Sequence, residues 1–382
     1  MHDVIVLGGG IVGLSAALAM HQRGYSTLVL DAGDLAGDLI VGPGRLYAIN
    51  RASQALFKTL GVWDRLNENV LSYYRRMHVW DSQNGACLDF DARLIAAPSL
   101  GAMVNEGELR SALLAEAKQV GLALIPQCAV TEVCPHEQGV KLFSSTHEWD
   151  TRLLIVADGA KSKTRDMLGV DITTWPYHQQ AIVATVKTTQ PHQATAYQVF
   201  NPDGPLAFLP LADPHACSIV WSTSEAHARA LMLQSNEAFS LALTQAFAST
   251  LGEVELCGAR QQFPLHMRHV KNYVGKHWML MGDAAHTVHP LAGLGLNVGL
   301  ADLSAYCKLL DERPREFCTP RVLSAYQRNR KHAVWQVIAV MEGLKMLFLN
   351  PLTSVTVLRG LGLRCVNRLT FLKRYFVEQA AG

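Results

Sequence analysis

The chain has 382 residues, enough for two or three layers of structure around one large core, or for two intergrown domains. Hydrophobic residues make up 49% and charged residues 17%, without a long uninterrupted apolar span. Net charge is only +2, and no basic domain or aromatic-interleaved basic patch occurs in the first three quarters, which argues against a nucleic-acid partner.

In chain order, Val4-Ile-Val-Leu7 reads as a buried parallel strand that ends in glycines. Ile11–Arg23 carries a helical stripe of Leu14, Leu18 and alanines, Gly24 stops it, and Thr27–Leu30 is a second buried strand. This βαβ opening is a better use of Val4–Met20 than a signal peptide or anchor, because four glycines interrupt the run and no basic residue precedes it. A helix is expected over Glu106–Val120, then strands at Leu122–Ile125, Ala129–Val133 and Leu153–Val156.

Between about Gln179 and Leu265 the segments alternate. Ala181–Lys187, Leu206–Leu209 and Ser218–Trp221 read as strands of a separate antiparallel sheet, with helices at Glu225–Leu233 and Glu237–Phe247. Trp278–Met281 is again a buried strand. From Thr319 the pattern is helical as far as Asn350, where Pro351 stops it; about thirty residues give a rod on the order of 45 Å. The eight cysteines are scattered with no C-x-x-C pair, so neither a disulfide framework nor a zinc site is expected.

Charge is uneven. From Thr319 onward ten Lys/Arg face two Glu, a net +8, which leaves −6 for residues 1–318. Arg359, Arg364, Arg368, Lys373 and Arg374 lie among Leu361, Leu363, Leu369, Phe371 and Phe376, as in a basic amphipathic helix on an anionic membrane surface. The rival reading packs this helix on its own protein with the charges solvated. On the membrane reading, deleting residues beyond Asn350 releases the protein from liposomes and leaves its cofactor bound.

The chemistry concentrates in three glycine-containing segments. Gly8-Gly9-Gly10-Ile11-Val12-Gly13 fits G-x-G-x-x-G between strand and helix: Gly8 for the tight turn, Gly10 for approach of a pyrophosphate, Gly13 for close packing. The helix N-terminus adds roughly half a positive charge. Asp31 ends the second strand, where a carboxylate accepts ribose hydroxyls. This motif alone leaves NAD and FAD both open.

Further on, Ala157-Asp158-Gly159 and Gly282-Asp283-Ala284-Ala285-His286 each follow a strand. The segment 287–302 then reads Thr-Val-His-Pro-Leu-Ala-Gly-Leu-Gly-Leu-Asn-Val-Gly-Leu-Ala-Asp. Pro290 limits the backbone, Gly293 and Gly295 clear space for a flat ring, and a helix starting near Gly295 aims its N–H groups at that ring. His286 and His289, three apart, lack a carboxylate or cysteine at ligand spacing, so no metal is expected; His289 is a candidate for touching substrate or cofactor. No nucleophile elbow is present to support hydrolysis.

With these residues the sequence resembles the para-hydroxybenzoate-hydroxylase-like flavin monooxygenases. Gly44–Ile49, Asn105–Leu114 and the ending from Tyr326 narrow the resemblance to the ubiquinone-biosynthesis FAD-dependent hydroxylases. The resemblance implies an α/β fold: a Rossmann-like FAD-binding domain (1–80, 92–165 and 273–318) intergrown with an antiparallel-sheet substrate domain (81–91 and 166–272), then C-terminal helices (319–382). It implies non-covalent FAD held by Gly8, Gly10, Gly13, Asp31, Arg45, Arg110, Asp158, Gly159, Gly282, Asp283, Pro290, Gly293, Leu294, Gly295, Leu296 and Asn297. His289 and Pro290 are the flavin-proximal candidates, and no catalytic base is named. Leu294 stands where the family commonly has Gln, so the resemblance implies backbone contacts at this turn and no glutamine side-chain hydrogen bond.

The implied activity is ring hydroxylation of a prenylated phenol or benzoquinol, with NADH or NADPH as transient donor and dioxygen as oxidant. The expected location is cytoplasmic, peripheral on the inner face of the membrane, beside other quinone-biosynthesis enzymes. Two rival readings stand: a reductase or dehydrogenase of the same fold, and a flavin-bearing subunit without turnover.

Overall fold

The computed structural model describes residues 1–35, 45–287, 294–348, 350 and 352–381. Strand His2–Leu7 lies at the centre of the first sheet because it is apolar on both faces; Val4, Ile5 and Val6 are fully buried. Thr27–Leu30 and then Ala123–Ile125 pair on one side of it, Glu148–Val156 and then Trp278–Leu280 on the other, all parallel. Parallel pairing brings the carboxyl ends of all five strands to one edge, where open α/β sheets form their ligand crevice. Helix Ile11–Gln22 is buried on nearly every side, with Leu14, Leu18 and Met20 shut off from solvent.

The second sheet is longer and mostly antiparallel, in the order 286–287, 254–270, 172–188, 216–224, 204–210, 195–201, 76–81, 87–91. Residues Ala181–Lys187 are the middle of a 17-residue strand, Ile172–Thr188. Arg76–Asp81 joins this sheet by pairing parallel with Thr195–Asn201. The expected strand Ala129–Val133 sits instead at Glu132–Pro135, because the antiparallel partner Val140–Phe143 reaches only that far.

Period-two alternation gives the second sheet two distinct faces. Ile182, Ala184, Val186, Val199, Leu206 and Phe208 cluster with the helices Glu225–Leu233 and Asn236–Ala246. Ala181, Val220, Ala207 and Leu209 belong to clusters on the other face, which also take in Ala48, Met103 and Val298. A small third sheet, 46–50, 101–105 and 72–74, bridges the two.

The C-terminal region corrects the reading of a solvated basic tail. Helix Pro320–Phe348 is a 29-residue rod, but Thr353–Arg368 and Thr370–Ala381 fold back as two further helices. Arg359, expected on a membrane-facing surface, is 3% exposed. Its Nε donates to Asp81 Oδ2 at 2.6 Å, and its terminal nitrogens donate to Gln83 Oε1 and to the Leu347 and Phe348 carbonyls. Arg330, another of the ten basic residues, is buried against Asp302. Two of the tail's charges are therefore neutralised inside the protein. The physical reason is that an arginine on a basic-looking helix can be internal when a buried carboxylate meets its fork.

Removing one partner of a buried pair leaves an uncompensated charge, worth about 3–5 kcal/mol. Arg359→Ala, and equally a truncation after Asn350, should lower unfolding stability by that order in chemical denaturation, and Asp81→Leu combined with Arg359→Met should recover most of it. A truncation as stable as the full chain would show that the Asp81 contact is not structural.

Candidate functional site

The first loop leaves the central strand at Gly8, whose φ of +111° is the left-handed region that favours glycine. A side chain there would strike the Ala157 carbonyl, and one at Gly13 would strike the Gly8 carbonyl, so these two glycines set the packing of strand on helix. Gly10 faces open space on the crevice side; a Cβ at this position would meet nothing within 4 Å. The helix Ile11–Gln22 begins directly behind it.

Asp31 follows the neighbouring strand. Its Oδ2 accepts the Gly9 N–H and its Oδ1 accepts that of Gly33 at 2.8 Å. A carboxylate has about four acceptor positions, so two backbone donors orient it without exhausting it.

On the other side of the central strand lie the second and third motifs. Asp158 accepts the Thr164 N–H through Oδ2, while its Oδ1 is buried without a partner. Gly159, at φ +87°, opens to empty space. Gly282 sits against the Val12 side chain in the first turn of helix Ile11–Gln22 and close to Gly299, so the third motif is packed on the first. Loss of surrounding water raises the Asp283 carboxyl above its ordinary range, and His286, Arg45 and Arg268 pull it back; the residue nonetheless stays solvent-accessible.

Arg45 is exposed, with its guanidinium 5.2 Å from the Tyr47 ring centroid. Arg110 reaches toward the same edge: one terminal nitrogen is 3.4 Å from the Asp34 carbonyl, while Nε is buried and unpartnered.

Helix Leu294–Glu312 brings the remaining residues in. Gly295 faces open space and Leu296 packs against the main core. Asn297 is buried, and its side chain ties the helix to the small sheet: Nδ2 donates to the Ala48 carbonyl at 2.7 Å and Oδ1 accepts the Asn50 N–H at 3.0 Å. His289, Pro290 and Gly293 lie outside the described residues.

Residue typing alone missed the anchor of this arrangement. Asp302 is fully buried; Oδ2 accepts the Gly282 N–H at 2.9 Å and His286 Nε2 at 2.8 Å, and Oδ1 accepts Arg330 Nε at 2.6 Å. Burial works to raise this carboxyl, but His286, Arg330 and the hydrogen bonds together hold it below the usual carboxylate range. An ionised carboxylate only accepts, so His286 carries its proton on Nε2 toward Asp302. Asp302 closes the 287–302 segment, but only the fold reveals that it faces Arg330, 28 residues later.

These features fit FAD. Gly10, Gly159 and Gly295 leave room where a Cβ would be free to stand, and Asp158 Oδ1 and Arg110 Nε are a buried acceptor and donor waiting for partners. Among the described residues no group of three or more His, Cys, Asp and Glu gathers as a metal site.

Gly10→Val fills space that only a ligand would use, so it should lower FAD affinity at least about tenfold while the flavin-free protein unfolds at an unchanged midpoint. Titration by flavin fluorescence beside thermal unfolding checks both halves. For Asp302, a folded pKa below the ordinary value means stabilisation that is complete above about pH 4 and lost as pH falls through the folded value. Asp302→Asn should therefore be less stable by roughly 3–5 kcal/mol at neutral pH, with the gap to the parent narrowing below about pH 4.

A family model described as an FAD binding domain matches residues 1–340. The ubiquinone hydroxylase UbiL of Rhodospirillum rubrum is 33% identical, with all of this chain and 89% of that protein covered. The 3-demethoxyubiquinol 3-hydroxylase of Escherichia coli is likewise 33% identical, covering 100% and 98%. Among solved structures, the p-nitrophenol 4-monooxygenase PnpA of Pseudomonas putida superposes with a TM-score of 0.81 at 16% identity, covering 100% of this chain and 98% of that one, which speaks for the fold. With the FAD-binding features above, these similarities show that the chain belongs to the FAD-dependent hydroxylases of ubiquinone biosynthesis.

Proposed function

We propose that this monooxygenase hydroxylates the aromatic ring of a phenol or benzoquinol bearing a prenyl tail, with NADH or NADPH as transient donor and dioxygen as oxidant. The observation that carries the reading is the meeting of a flavin crevice with an apolar sheet face, Ala181, Val220, Ala207 and Leu209, in clusters that include Ala48 and Val298 beside the Asn297 anchor. The two large sheets support a division into FAD and substrate domains, with Arg76–Asp81 and His286–Thr287, assigned by sequence to the FAD domain apart from Asp81, pairing instead in the second sheet.

Bound in the crevice, FAD would supply hydride acceptance and oxygen activation. The chain's part is to hold and to cover. Gly10 and the helix behind it would take the pyrophosphate, Asp31 the ribose hydroxyls, Asp283 the polyol chain, and Arg45 and Arg110 the remaining negative charge. The small apolar residues of the sheet would lie over the reacting ring and keep water from it. Only one dinucleotide fingerprint is present in the sequence, so the nicotinamide donor would visit the flavin domain's surface and leave.

We also propose that the tail docks on a membrane surface. No helix among the described residues is long and apolar enough to cross a membrane. Yet Met346, Leu352, Leu358 and Leu361 are 74%, 60%, 68% and 57% exposed, beside the exposed Arg364 and Arg368. Val357, Leu358 and Leu361 share one helix face by their spacing, and an exposed apolar patch edged by cations suits an anionic bilayer.

With a prenylated phenol and labelled dioxygen, the product should carry one labelled oxygen atom. Donor oxidation without label in product would point to a reductase, and no donor oxidation to a subunit without turnover. Because truncation would also expose Asp81, the membrane test is better made on the surface: Leu358→Glu with Leu361→Glu should cut sedimentation with anionic liposomes several-fold at unchanged flavin content. Undiminished sedimentation would remove the tail as the anchor.

A further inference from the structure

We infer that the outward face of the long helix Pro320–Phe348 is a second lipid-contact surface, lying on an anionic bilayer beside the tail; this rests on the membrane-docking reading above. The helix is held to the protein along one side. Val334 and Ile338 are buried in an apolar cluster with Tyr177, Leu265 and Met267 of the second sheet, and Phe348 is buried at its end. The opposite side changes character along its length. In the first half its exposed residues include Arg321, Arg328 and His332. In the second half they are Trp335, Ala339, Val340, Gly343, Met346 and Leu347, with Gln336 as the polar residue among them. At about 100° per residue these positions fall within one arc, and from Trp335 to Leu347 they run about 18 Å along the helix. Trp335, Val340, Met346 and Leu347 are 44%, 56%, 74% and 39% exposed, so large apolar side chains are left in water along this stretch.

Trp335 stands where the cationic and apolar stretches meet. Its ring packs edge-on against Trp175 with centroids 6.4 Å apart, and Trp175 is itself 40% exposed. Half-exposed indoles at such a boundary suit the headgroup level of a bilayer, where one end of the ring is dry and the other wet. Charge selects the occupant. From Thr319 onward the only carboxylate side chains are Glu342 and Glu378, and they are engaged, Glu342 with the Tyr177 hydroxyl and Glu378 with Arg374. A second copy of this chain would meet the cations of the face with cations, whereas anionic headgroups meet them with opposite charge. The face is also continuous with the tail patch. Arg359 donates to the Leu347 and Phe348 carbonyls, which seats the helix carrying Leu358 and Leu361 against the end of the long helix. A helix with an apolar outward half and a cationic flank can lie in the plane of the interface rather than across it.

The test reads the indoles from inside the lipid. On vesicles of phosphatidylglycerol and phosphatidylcholine with brominated acyl chains, the tryptophan emission of the FAD-loaded protein should be quenched. Trp335→Phe with Trp175→Phe should remove most of that quenching at equal bound protein. Val340→Glu with Met346→Glu should cut sedimentation with these vesicles several-fold at unchanged flavin content, and vesicles of phosphatidylcholine alone should bind the parent several-fold more weakly. Quenching that survives the loss of both indoles, together with undiminished sedimentation of the glutamate variant, overturns the helix face and leaves the tail patch to its own test with Leu358→Glu and Leu361→Glu. A glutamate variant that still binds vesicles but falls from dimer to monomer in light scattering overturns it in favour of a contact between copies. A parent protein that does not sediment with anionic vesicles overturns both readings.

Discussion

The buried carboxylate of Asp302 is the interaction on which the site depends. A charge taken wholly out of water is tolerated only when every lone pair finds a donor. Here the donors come from two separate parts of the chain: the Gly282 backbone and His286 in the third motif, and Arg330 on the long helix. Satisfying one carboxylate therefore fixes the third motif against the helix Leu294–Glu312 and ties both to the C-terminal rod. The same restraint holds Gly282 on Val12 and Gly299, which carries the third loop onto the first.

A second buried pair plays a corresponding part for the last helices of the chain. Asp81 and Arg359 join a hairpin of the second sheet to the tail helices. With Arg359 turned inward, the outer side of the same helix is left with Val357, Leu358 and Leu361. The tail helix is thus packed on the protein on one side and bare and apolar on the other. The reading of a helix packed on its own protein therefore holds for the face that carries Arg359.

Much of this was legible in the residues. The first glycine loop, Asp31 and the buried runs Val4–Leu7 and Leu153–Val156 appear in the structure where their chemistry put them, because short apolar strands and glycine turns are set by local rules. The helices Glu225–Leu233 and Glu106–Gln119 were equally readable from periodicity. Asn297 was read as a flavin contact; its side chain is engaged with Ala48 and Asn50, a partnership between residues some 250 apart that no spacing rule encodes. Arg330 and Arg359 looked like surface cations because composition counts charges without knowing which way a helix turns them.

The amino-acid sequence by itself determined the βαβ opening, the glycine-rich turns, the type of cofactor they suit and the helical character of the tail, since each depends on residues near one another in the chain. Only the tertiary structure decided which charges are buried and which face of the tail is bare. Those outcomes depend on long-range pairing, where a carboxylate meets its guanidinium only after the sheets and helices have packed.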